Sequence, residues 1–281
     1  MILILPLLFF ILGTSIGSFL NVVAYRSIHG GSVLFGSSRC PHCKHKLAAK
    51  DLVPIVSFLA LSGKCRYCGK SISLQYPIVE AAAGVLFALT FYYWSGLVSF
   101  QFPVTSDQYL FSSNWLLAAS NLIYLLFVVS VLIVLFVTDV RDGLLPNSVV
   151  LPAVTIVATY KLLLVVVGSS QFSTLIADLL TALVVSGIFF AIVALSGEKA
   201  MGGGDVKLAF LIGLAVGWPA TSVALFTSFL TGAIVAVMLI LIGKKRFGES
   251  VPFGPFLSLG AFVALFWGRE IIDLYLRALT T

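Results

Sequence analysis

The stretch Met201-Gly202-Gly203-Gly204-Asp205-Val206-Lys207 sets one carboxylate in a short polar break between two long apolar runs. Glycines free the backbone for a close approach or a positive φ, so Asp205 is expected on a turn that larger side chains would block. A second break, Thr138-Asp139-Val140-Arg141-Asp142-Gly143-Leu144-Leu145-Pro146-Asn147, lies upstream and is acidic too. The 281 residues around these breaks are 60% hydrophobic and 10% charged, with a mean hydropathy of +1.11. That is far from the makeup of a water-soluble domain. The expected fold class is an all-α polytopic membrane protein, because a spanning segment must satisfy its own backbone hydrogen bonds and no ten-residue alternation suggests a barrel.

About eight transmembrane helices are expected, at residues 1–23, 76–94, 115–138, 148–168, 174–196, a short 208–218, 220–242 and 256–275. The first run has no basic residue before it and no small-residue cleavage site after it, so it is expected to stay as a span rather than act as a signal peptide. The domain division is then 1–24 for the first helix, 25–75 for a polar module and 76–281 for the remaining helices.

Charge orients the chain. The formal net charge of +6 does not call for a nucleic-acid partner, since the basic residues gather beside apolar runs, where they fix orientation. Residues 25–75 carry eight Lys and Arg against Asp51 alone, and with alternating spans Arg141, Lys199, Lys207 and Lys244-Lys245-Arg246 fall on the same side. That side is the cytoplasm by the positive-inside rule, which places both termini outside and makes the 95–114 stretch, free of Lys and Arg, an external loop. Of the exceptions, Arg269 and Arg277 lie at the outer end of the last span, and Lys161 is expected to snorkel toward headgroups.

The module contains Cys40-Pro41-His42-Cys43 and, farther on, Cys65-Arg66-Tyr67-Cys68-Gly69. Paired C-x-x-C knuckles at this spacing suit a closed, structural tetrahedral zinc site, while two disulfides are the competing outcome. A reducing cytoplasm favours zinc, held by Cys40, Cys43, Cys65 and Cys68. Such a staple would let a small polar module fold. His42 and His45 are surplus to a sphere that four thiolates complete.

By alternation Asp139 ends the third span and Asp205 begins the sixth, both at the cytoplasmic face. Two carboxyls meeting there would share one proton around a water, the aspartic-protease arrangement, with no metal required. The same acids also suit helix ends, where a dipole favours an anion. Asp142 competes with Asp139; Glu80 and Asp178 are further intramembrane acids, Asp178 being at the outer end of its span.

These residues together resemble the type IV prepilin peptidases, bacterial membrane aspartyl proteases that also methylate the mature pilin. The resemblance spans Gly17-Ser18-Phe19-Leu20-Asn21-Val22, the four cysteines, Asp51 with Pro54, Gly63, and Ile72-Ser73 to Glu80. It continues through the D-x6-P pattern of Asp139 and Pro146, the G-x-G-D of Gly202 to Asp205 with Lys207, and Pro252-Phe253-Gly254-Pro255. It implies a catalytic pair at Asp139 and Asp205, with Gly202, Gly203, Gly204 and Lys207 as a supporting motif. It implies substrates that are prepilins or pseudopilins, cut at the cytoplasmic face of the bacterial inner membrane. It also implies S-adenosylmethionine as methyl donor, with Glu80 and the polar loop as candidate contributors to its site. Two other classes remain open at this point: an ion-coupled transporter, and a catalytically inactive assembly factor with a zinc docking loop.

Overall fold

A computed structural model describes residues 4–32, 36–101, 114–198, 201–246 and 251–280. Among these residues there is no β-strand, only two isolated bridges, and nine α-helices carry the fold. The chain forms two units, residues 1–134 and 135–281, the boundary falling within one helix.

The first unit holds α1 (Ile4–His29), α2 (Val56–Ala60), α3 (Gln75–Gln101) and the start of α4 (Asn114–Asp142). Small residues bring α1 and α3 together: a Cβ on Gly13 would stand 2.8 Å from Gly84 Cα, and one on Gly17 would stand 2.9 Å from Glu80 Cα. Without a hydrophobic force between helices in lipid, such close backbone approach supplies the association. Asn21 on α1 adds a polar tie by donating to the Tyr76 carbonyl at 3.3 Å.

The second unit holds the end of α4, then α5 (Asn147–Val166), α6 (Phe172–Ser196), α7 (Gly203–Val216), α8 (Ala220–Leu241) and α9 (Gly254–Thr280). Seven of the described helices, all but α2 and α7, are long and apolar enough to cross a membrane. The short sixth span is α7, whose 14 residues reach about 21 Å at 1.5 Å per residue, less than a bilayer core of about 30 Å. Protein covers it instead of lipid. Leu208, Leu211, Ile212 and Leu214 are buried, and a Cβ on Gly213 would lie 2.7 Å from Ala182 Cα of α6.

Several boundaries move. Helix α1 continues to His29 and α3 to Gln101, so less of the expected 95–114 loop is non-helical. Residues 102–113 of that loop and Lys199 lie outside the described residues. Helix α4 runs through Asp139 to Asp142, and α7 starts at Gly203, so both acids sit in helical turns and not in open breaks. None of Gly202, Gly203 and Gly204 has a positive φ; Gly143 does, at 64°, closing the end of α4 with its N–H on the Asp139 carbonyl. Lys161 does not snorkel. It turns inward from α5 and pairs with the buried Asp178 of α6, whose carboxyl also lies against Gly217 at the end of α7.

Candidate active site and metal centre

Asp205 is the third residue of α7, and Gly202 caps that helix with extended φ and ψ. A carboxylate at this position is on the turn that carries the free amides of the helix start. The helix dipole favours an anion at the same end. Of the glycine run only Gly204 is required by close approach: its Cβ would come within 3.1 Å of Leu145 in the α4–α5 connection, whereas Gly202 and Gly203 face open space. Lys207 ties the start of α5, its Nζ donating to Asn147 Oδ1 at 2.8 Å.

Asp139 comes from the last turn of α4. Its Oδ2 is buried and without a hydrogen-bond partner among the described residues, and Gly254 at the start of α9 abuts it so closely that a Cβ there would stand 2.7 Å from Oδ2. Phe253 fixes that approach by packing its ring 5.1 Å from Phe229 of α8 and 6.1 Å from Phe189 of α6. Asp139 and Asp205 are both buried, 6% and 7% exposed. Both line one cleft of about 490 Å³, together with Gly143, Leu144, Glu198, Met201 and Phe253. A buried carboxyl oxygen left without a partner is costly unless a polar guest satisfies it.

The other acids fall elsewhere. Asp142 is not among the cleft-lining residues and stands 3.9 Å from Arg141. Asp178 is taken up by Lys161. Glu80, 7% exposed on α3, accepts the Ile55 N–H at 2.7 Å through Oε2. Phe253 and Gly254 belong to the Pro252–Pro255 stretch of the resemblance, but nothing in the sequence assigns them to the side of Asp139.

The cysteines form a second site, in the first unit. Their four Sγ atoms lie within 4.8 Å of one another, with Cys40 and Cys68 3.9 Å apart. Four thiolates at about 2.3 Å from a tetrahedral ion would be about 3.8 Å apart, so the set fits a metal ion. The two knuckles repeat one hydrogen-bond scheme: the Cys40 N–H donates to the His45 carbonyl and the Cys65 N–H to the Lys70 carbonyl. Lys44 and Gly69, each following the second cysteine, both take positive φ, at 58° and 70°. The His45 ring packs at a tilt of 31° on Tyr67 with ring centres 3.8 Å apart, and the clustered ligand atoms are those of the four cysteines. Asp51 braces the module by accepting from Arg66 Nε at 2.7 Å and Tyr67 Oη at 2.9 Å. The Arg66 bond holds the Asp51 carboxyl below its ordinary range, so this brace persists at neutral pH and is lost only as pH falls through that lowered value.

Known proteins resemble this chain along most of its length. Residues 11–94 match the family described as Bacterial Peptidase A24 N-terminal domain, and residues 126–237 match the Type IV leader peptidase family. A prepilin leader peptidase/N-methyltransferase of Stutzerimonas stutzeri is 30% identical over 296 residues, spanning 95% of this chain and 92% of its own. Proteins of the same name from Bacillus subtilis and Aeromonas hydrophila are 29% and 31% identical, each covering at least 95% of this chain and 93% of their own length. No solved structure matches significantly. With family matches over residues 11–94, which include the cysteine module, and over 126–237, and relatives aligned along almost its whole length, the chain belongs to the type IV leader peptidase family.

Proposed function

We propose that this protein is a prepilin leader peptidase, an aspartyl endopeptidase whose catalytic pair is Asp139 and Asp205. What carries the proposal is that two buried carboxyls, each at the end of its helix, line one cleft. One acid is ionised and takes a proton from a water as that water attacks the scissile carbonyl; the other, protonated, donates to the carbonyl oxygen. Collapse of the tetrahedral intermediate breaks the C–N bond, with a proton passing to the leaving amine. The substrates are prepilins or pseudopilins, whose basic leader lies in the cytoplasm and whose apolar helix lies in the bacterial inner membrane. Placement of both acids at helix ends, and not at the midplane in related halves, is unlike a coupled transporter.

The metal of the cysteine module is zinc, held by Cys40, Cys43, Cys65 and Cys68 in a closed site that supplies folding energy and no chemistry. S-adenosylmethionine, when bound, supplies a methyl group to the amine that cleavage exposes. Its candidate contact Glu80 is buried and bonded to Ile55, which suits a structural hold better than an open ligand site.

The test is to incubate the purified protein with a panel of candidate prepilins and sequence the product N-terminus, with and without methyl donor. Failure to cleave any of them between a basic leader and an apolar helix counts against the assignment. Serine at any one of the four cysteines is expected to release the metal, read as zinc per chain falling from one toward zero; retention of a full equivalent would show a different ligand set. Alanine at Gly204 is expected to push Leu145 aside and lower cleavage several-fold. Alanine at Gly203 meets open space and is expected to stay within about twofold, with a gain of up to about 1 kcal/mol in stability. Equal effects at the two positions would separate Leu145 from the site.

A further inference from the structure

Between the cysteine pairs the chain leaves four aliphatic side chains uncovered: Leu52, Val53, Val56 and Leu59, the last two 61% and 68% exposed. They flank Ile55, a β-branched residue held at a φ of 62° where the chain turns into α2. The Ile55 N–H is bonded to Glu80 Oε2, and Glu80 lies five residues past the start of α3, roughly 7 Å along its axis.

Depth follows from the side chains that precede Glu80. Leu74, just before α3, and Ile78 in its first turn are 65% and 62% exposed, so the chain already shows an apolar, lipid-type surface before the level at which Ile55 is tied. In water, four neighbouring aliphatics at that level would form an uncovered patch; in a bilayer they are solvated. Charge agrees. Residues 36–74 carry Arg39, Lys44, Lys46, Lys50, Lys64, Arg66 and Lys70 against Asp51, which is already engaged by Arg66. Lys50 and Lys64 bracket the apolar segment, where their stems can lie along it with the ammonium groups among headgroups.

We propose that residues 52–59 form a wedge that enters the cytoplasmic leaflet of an anionic bilayer, with Glu80 setting its depth, so that the metal module lies on the membrane surface. A soluble protein partner fits less well, because the patch is tied at the level of an exposed, spanning helix.

The experiment places the photo-crosslinking residue p-benzoylphenylalanine at Val56, at Leu59 and, as a control, at the exposed Lys46, in the full-length zinc-loaded protein. Each is reconstituted in vesicles of phosphatidylethanolamine and phosphatidylglycerol, irradiated and analysed by mass spectrometry. Lipid adducts at positions 56 and 59 are expected at least tenfold above those at 46. Yields no higher than at 46, or crosslinks only to an added prepilin or a second copy, overturn the proposal. With Glu80→Ala the adducts at 56 are expected to fall several-fold while Glu80→Gln, which keeps an acceptor oxygen, retains them; no change with Glu80→Ala rejects Glu80 as the depth-setting group. Replacing phosphatidylglycerol by phosphatidylcholine is expected to lower the yields, and unchanged yields reject the anionic preference.

Discussion

Asparagine at Asp139 or at Asp205 is expected to leave the protein folded and metal-loaded while lowering prepilin cleavage by about a hundredfold or more, the scale of losing an acid-base group. The exchange keeps the side chain's shape and part of its hydrogen bonding but removes ionisation. Because two carboxyls sharing one water act as a unit, the double variant is expected to be little worse than either single one. Asp142→Asn, off the cleft and beside Arg141, is expected to keep most of the activity. Rates come from a time course of leader removal, and folding is checked by zinc content and thermal unfolding in detergent. Near wild-type cleavage by Asp205→Asn would end the aspartyl-protease assignment; loss with Asp142→Asn alone would move the first role one turn along α4.

The second large effect lies far from the cleft. Asp178→Ala leaves the Lys161 ammonium without its partner among α5, α6 and the end of α7, and is expected to cost about 3–5 kcal/mol. Replacing the pair together, Lys161→Met with Asp178→Leu, is expected to be nearly neutral, since desolvating two charges offsets most of their attraction. Thermal unfolding of the three proteins decides: a single variant within 1 kcal/mol of wild type would mean that water reaches the pair.

Much of the site is legible in the sequence because a membrane environment makes polar residues conspicuous. Asp139 and Asp205 stand out against apolar runs, and C-x-x-C pairs announce themselves by spacing. Contacts between helices are another matter. The partnership of Lys161 with Asp178, and the abutment of Gly254 on Asp139, depend on which helix faces meet, and apolar all-round helices carry almost no periodic signal for that. The glycine run shows the same limit: three identical residues look alike in sequence, yet only Gly204 meets a neighbour. A short α7 is legible from its length, but that neighbouring helices cover it is not.

The glycine seam between α1 and α3 also fixes how far apart the two ends of the cysteine module sit, since residues 30–74 are the loop that these helices close. Closing a flexible loop of several dozen residues costs roughly 3 kcal/mol of chain entropy. Here the bilayer-embedded helices meet that cost before any ion arrives. The two thiol pairs therefore face each other at a high local concentration, and binding has only to order the chain between them. By the same logic a bulky residue at Gly13 or Gly17 would weaken metal binding without touching a single ligand, because it would let the mouth of the loop open.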